Sequence, residues 1–214
     1  MPLLVACFSS YLTVPGGWRD EDYHANKFVR ALKGEQFGGY ALVPLNGIQM
    51  RLANENLDSA LDWFAVMVRT YIIKEKIRPP LAFIPVPSSA QTRRTKTTGR
   101  TEKMAQAIRA RMGAKASAVD CLRWKQNLGS ARRTGGPRNV EVLYSNLTMN
   151  ARILNENRRV VLVDDVMTSG GHLRACARIV REAGANVLLA VCGGRTTHTQ
   201  DRGAFDIVKE TLED

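Results

Sequence analysis

Asp164 and Asp165 stand side by side, followed at once by Val166, Met167, Thr168, Ser169, Gly170, Gly171 and His172. Adjacent carboxylates repel, so the pairing calls for a partner that rewards it. Carboxylates are strong hydrogen-bond acceptors, and two of them can grip the vicinal hydroxyls of a sugar. The residues behind them suit an anion instead. Gly170 and Gly171 let the backbone turn or approach a ligand closely, and Thr168 and Ser169 add hydroxyl donors. A helix starting there would contribute unpaired N–H groups and the positive end of its dipole. A diol on the acids and a phosphate on the loop together describe a ribose 5-phosphate. The competing reading is a helix cap, a common use of Asp and Ser.

Such a site needs a strand before it and a helix after it. The apolar run ahead of the acids predicts a strand over Arg159–Val163, buried on both faces. "HLRACARIVREAGA" predicts a helix closed by Gly184, and "NVLLAVCGG" the next strand. Upstream, "RPPLAFIPVPSS" predicts a buried strand over Leu81–Val86. "TEKMAQAIRARMG" predicts a helix with Met104, Ala105 and Ile108 inward and Gly113 as its cap. Weaker strands are predicted over Ala118–Leu122 and Glu141–Leu147. Strand and helix alternate, which defines an α/β class with a doubly wound parallel sheet covered on both faces. Ligands of such sheets bind beyond the carboxyl ends of the strands, where the acids stand. In the N-terminal third, "NLDSALDWFAVMVRTYIIKEK" predicts a helix burying Leu57, Leu61, Phe64, Val68 and Tyr71.

A second anion loop could follow the Leu81–Val86 strand. "PVPSSAQTRR" offers hydroxyls at Ser88 and Ser89, a helix start, and charge at Arg93 and Arg94; the plainer reading is a solvated basic exit from the strand. One X–Pro bond here, at Pro85 or Pro87, is a candidate for the cis form, whose penalty is small before proline. "RWKQNLGSARRTGGPRN" combines Arg123, Lys125, Arg132, Arg133 and Arg138 with glycines. It predicts a mobile basic loop, where functional residues often sit, or else an ordinary exposed one.

The balance of 31 basic against 20 acidic residues leaves a net charge of +11, which suits a solubilising surface or a polyanionic or phosphorylated partner. Cys7, Cys121, Cys176 and Cys192 have no CxxC spacing, which argues against a zinc site or a disulfide framework and suits a reducing cytoplasm. "MPLLVACFSS" has no basic n-region, so no signal peptide is expected, and no apolar stretch is long enough to predict a membrane span.

"VVLVDDVMTSGG" resembles the phosphoribosyl pyrophosphate (PRPP) signature of type I phosphoribosyltransferases. The resemblance implies a flavodoxin-like core of five parallel strands with a small hood, here residues 1–78 over a core of 79–214. It implies Mg²⁺-PRPP as donor, with the metal held mainly by PRPP and Asp164 and Asp165 as further ligands. It also implies that Asp164 and Asp165 hold the ribose hydroxyls and take part in catalysis, and that Val166 to His172 wrap the 5′-phosphate. Pro87, Ser88, Ser89, Arg93 and Arg94 would bind the pyrophosphate, and Lys125, Arg132 and Arg133 would belong to the loop that closes over it. His172 stands where the family usually has Ser or Thr. More loosely, "YHANKFVRALKGE", "PVPSSAQTRR" and "RRTGGPRNV" are similar to the competence protein F (ComF-like) branch, without its four-cysteine zinc module and with "KTTGR" in place of "RGFNQ". The expectation is a cytoplasmic transferase of nucleotide metabolism that moves phosphoribosyl to a nitrogen nucleophile such as a nucleobase. Its partners would be PRPP, that base and a homodimer mate. A PRPP-sensing regulator and a nucleic-acid-associated or DNA-uptake protein are the rival readings; no membrane partner is expected.

Overall fold

Val160, Val161, Leu162 and Val163 can all be buried only if both faces of their strand are covered, and all four are fully buried. The computed structural model describes residues 1–14, 16–94, 98–128, 139–153 and 158–213. In chain order its elements are β1 (Leu3–Cys7), β2 (Ser10–Leu12), α1 (Asp20–Lys33), β3 (Tyr40–Leu45), β4 (Ile48–Ala53), α2 (Ser59–Lys74), β5 (Leu81–Pro85), α3 (Arg100–Met112), β6 (Ala116–Ala118), β7 (Leu122–Trp124), α4 (Val140–Asn146), β8 (Leu147–Met149), β9 (Arg159–Met167), α5 (Gly171–Glu182), β10 (Asn186–Thr197) and β11 (Val208–Leu212).

The main sheet runs β11-β1-β10-β9-β5-β6, with β2 paired further along β10. Its pairs are parallel except β1 with β11. Strand side chains alternate between faces. Phe83, Val161, Val163, Leu189 and Val191 pack with residues of α1, α2 and α3. Ala82, Ile84, Val160, Leu162 and Ala190 pack with residues of α5, α4, β7 and β8. This is the doubly wound, mostly parallel α/β sheet expected. All four cysteines are free and buried, on the α5 side.

Several expectations need correction. β1, from the N-terminal segment expected as a hood, lies inside the sheet between β10 and β11. The reason is apolar burial: Leu3, Val5, Ala6 and Cys7 are buried with residues from the other end of the chain. The segment expected as a strand over Glu141–Leu147 is instead α4, whose cap Asn139 accepts hydrogen bonds from the Glu141 and Val142 amides. The Ala118–Leu122 segment is split between β6 and β7. The strand expected to stop at Val163 continues as β9 to Met167, so the acids lie within the strand's hydrogen-bonded register. The cis peptide bond joins Pro79 to Pro80, not the bonds before Pro85 or Pro87. Among the described residues, no helix is long and apolar enough to cross a membrane.

Candidate functional site

β9 carries Asp164 opposite Cys192 of β10, while Val163 stands opposite Pro85 of β5. The segment after β5 and the loop after β9 therefore leave the same carboxyl edge of the sheet side by side. The Val86 amide ties them together by donating to the Val163 carbonyl at 2.9 Å.

Each acid is half-buried and braced by the backbone after it. The Asp165 amide donates to Asp164 Oδ1 at 2.9 Å, and the Val166 amide to Asp165 Oδ1 at 2.7 Å. Burial, and then the neighbouring Asp165 charge, push the Asp164 carboxyl well above the usual carboxylate range. Such a raised acid at the mouth of a loop is the sort of group found at functional sites.

The loop itself is a glycine turn that leads into a helix. Gly170 is in the left-handed conformation, with φ 74°, and forms the N-cap of α5. A side chain there would meet Leu212, since a Cβ would lie 2.4 Å from Leu212 Cδ1. Asp164, Val166, Met167, Thr168, Gly170, Gly171, His172 and Leu173 line a hollow of about 10 Å³. That is too small to enclose a phosphate, so an anion would rest on the open rim, beside the exposed Thr168 and Ser169 and the start of α5.

His172, at the start of α5, packs against Trp124. Its ring meets that of Trp124 edge-on, with centroids 5.4 Å apart, and burial lowers its pKa against the opposing charge of Asp165. Burial thus favours the neutral imidazole, which packs against the indole. Trp124 is fully buried and donates from Nε1 to the Pro87 carbonyl at 3.0 Å.

The segment after β5 differs more from expectation. No helix begins at Ser88 and Ser89; α3 starts only at Arg100. Residues 88–91 form a closed turn in which the Ser88 amide donates to Gln91 Oε1 and the Gln91 amide to the Ser88 carbonyl, both at 2.8 Å. The Ser89 carbonyl accepts from the Leu128 amide at 3.2 Å. Arg93 reaches Thr148 Oγ1 at 3.3 Å, and Arg94 is exposed. The basic stretch further on is not one solvated face. Arg100 donates to the carbonyls of Ala31 and Leu32, closing the C-terminus of α1, and Arg123 pairs with Asp120. Lys125 is held at the end of α4, its amide donating to the Asn146 carbonyl at 2.7 Å and its Nζ to that of Ser145 at 2.5 Å. Arg132 and Arg133 lie outside the described residues.

Two further cations belong to this edge. Arg100 feels the Asp165 charge, which opposes the burial that lowers its pKa. Arg195 donates from Nη1 to the Thr168 carbonyl at 2.6 Å. A lone cation at the end of the buried run "VLLAVCGG" was the signal for Arg195; Arg100 was legible only as the end of the basic run Arg93–Arg100, an argument for nucleic-acid binding.

No family model matches the chain, and no curated protein matches it. Solved structures do show likenesses. An adenine phosphoribosyltransferase from Thermoanaerobacter pseudethanolicus is 18% identical, with 70% of this chain and 77% of that one covered and a TM-score of 0.43. An adenine phosphoribosyltransferase from Saccharomyces cerevisiae, complexed with an imino-altritol bisphosphate and adenine, is 15% identical, with coverages of 79% and 89% and a TM-score of 0.42. A hypoxanthine phosphoribosyltransferase from Staphylococcus aureus is 11% identical, with coverages of 68% and 79% and a TM-score of 0.37. With every one of these TM-scores below 0.5, the function proposed below rests on this chain's own residues.

Proposed function

We propose that the chain is a phosphoribosyltransferase of the type I, ComF-like kind, taking PRPP as donor and a nitrogen nucleophile, such as a nucleobase, as acceptor. The observation that carries the reading is the acid pair of β9 running directly into a left-handed glycine and the start of α5, at the carboxyl edge of a parallel sheet. In this reading the 5′-phosphate rests on Thr168 to Gly171 and the ribose hydroxyls donate to Asp164 and Asp165. A bond then forms between the acceptor nitrogen and C1 as the C1–oxygen bond to pyrophosphate breaks. The chain's part is to orient the ribose and to receive charge on the leaving group.

Each acid accepts from a backbone amide through Oδ1, and carboxylate oxygens are hard donors of the type Mg²⁺ prefers. Among the described residues no group of three or more His, Cys, Asp or Glu could hold a metal. In this reading Mg²⁺ arrives on PRPP, and the carboxylates of Asp164 and Asp165 would be its protein ligands. When bound, the ion would neutralise charge on the pyrophosphate.

One observation favours the sensor as a second reading. The amides of Ser88, Gln91, Arg93 and Arg94 all donate within the protein, so these donors of the pyrophosphate segment are already engaged. The nucleic-acid reading loses Arg100, Arg123 and Lys125, which are bonded internally. Calorimetric titration with Mg²⁺-PRPP tests binding, and pyrophosphate release across a panel of bases tests transfer. Binding without release selects the sensor; absence of binding overturns both.

A further inference from the structure

The last described strand, β11, braces the anion loop from behind at three points. Arg195 stands opposite Met167 in the register of β9 and β10. Its guanidinium donates from Nη1 to the Thr168 carbonyl at 2.6 Å and to the Thr196 carbonyl at 2.9 Å, and from Nε to Glu210 Oε1 at 2.6 Å. Glu210 belongs to β11, as does Leu212, which fills the space beside Gly170 that a Cβ would need. The carbonyl of Glu213, the next residue, accepts from Arg174 Nη1 at 3.2 Å, in the first turn of α5. This segment thus reaches the start of the loop through Arg195, its Gly170 directly, and the first turn of α5.

The first of these contacts has a consequence for binding. A trans peptide is planar, with its carbonyl and its N–H pointing in opposite directions. Holding the Thr168 carbonyl against Arg195 therefore aims the Ser169 N–H away from Arg195. A preorganised N–H binds an anion without first having to turn, whereas a free peptide can flip and present its carbonyl oxygen instead. Glu210 sets the Arg195 side chain in place through a charge-assisted bond, shorter than a neutral one. We propose that Arg195 and Glu210 are positioning residues for phosphate binding, fixing the Thr168–Ser169 peptide so that the Ser169 N–H faces the anion. This rests on the reading that loop 168–171 takes the 5′-phosphate.

The test uses the full chain and ribose 5-phosphate as probe, with calorimetric titration, amide hydrogen exchange at Ser169 to Gly171, and thermal melts. Glu210→Gln should raise the Kd about tenfold, the loss expected when one well-placed charge-assisted bond is weakened, and should speed exchange at Ser169. Arg195→Lys, which keeps a donor, should retain more affinity than Arg195→Met. The exchanged pair Arg195→Glu with Glu210→Arg should regain the melting temperature of the parent but not its affinity, because a carboxylate has no proton to donate to the Thr168 carbonyl. Parental affinity and parental exchange in Glu210→Gln would overturn the proposal, and so would an exchanged pair that restores binding. A parent that gives no binding heat would overturn the phosphate reading instead, and the exchange comparison would still decide whether Glu210 holds the loop.

Discussion

Asp164 separates binding from stability more clearly than any other side chain of the site. Its raised pKa means that the folded chain holds the proton more tightly than the unfolded chain does. Stability is then lost as pH rises from the ordinary value of 3.8 through the raised folded value, because ionising the buried group costs free energy. Asp164→Asn removes that cost. Its melting temperature at pH 7 should equal or exceed that of the parent, with the difference closing towards pH 4. The same variant, like Asp165→Asn, should bind ribose 5-phosphate more weakly by about 1.5–3 kcal/mol, the scale of a hydrogen bond to a charged group. If both variants bind as the parent does, or both simply unfold, the acids are structural. His172 carries the opposite sign. Its lowered pKa favours the neutral form in the folded chain, so its contribution is complete above the ordinary value of 6.5 and is lost as pH falls through the depressed folded value. His172→Phe should keep the edge-on contact with Trp124 and flatten the stability profile below pH 6.5. A titration of the imidazole by NMR that shows a pKa above 6.5 would refute this.

Among the elements, α1 connects the N-terminal part of the chain to the site by lying directly on β10. Two glycines make the approach possible. A Cβ on Gly193 would come within 2.2 Å of Leu32 Cδ1 and 2.9 Å of the Asp165 carbonyl oxygen, and one on Gly194 within 2.8 Å of Val29 Cγ2. Leu32 can rotate, but the Asp165 backbone is held in β9. Gly193→Ala should therefore destabilise the fold by about 1–3 kcal/mol, as overpacking of a filled core does, and should also weaken ribose 5-phosphate binding because it presses on Asp165. Denaturant unfolding together with titration measures both. An unchanged midpoint would mean that α1 rides freely over the strand.

For the whole molecule the question is whether residues 79–214 could stand alone. β1 fills the place between β10 and β11, and α1 and α2 cover one face of the central strands. Removing residues 1–78 would expose Val161, Val163 and Val191, and would leave β11 without a strand to pair with. The shortened chain should show no cooperative thermal transition and poor amide dispersion in NMR. A sharp transition would restore the two-part organisation expected from the sequence.

The sequence alone determined the strand through Val163, the acid pair, the glycine turn and the helix after it. These depend on local signals: a continuous apolar run, residues suited to positive φ, and helical spacing that buries Leu173, Cys176, Ala177 and Val180. Other local signals were ambiguous. Val140, Val142 and Leu143 suit a strand as well as a helix, and only Leu143 is buried, so the outcome depended on the Asn139 cap and on packing. Asn46-Gly47, both at positive φ, marked the β3–β4 hairpin, a turn signal that the sequence reading did not use. Only the tertiary structure decided that β1 belongs to the sheet, that Trp124 lies beneath the site, and that Arg100 and Arg195 turn inward. Arg100 meets carbonyls 68 and 69 residues away, and Arg195 one 27 residues away. A cation read along the chain looks solvated; whether it is depends on carbonyls and carboxylates that only the folded sheet brings within reach.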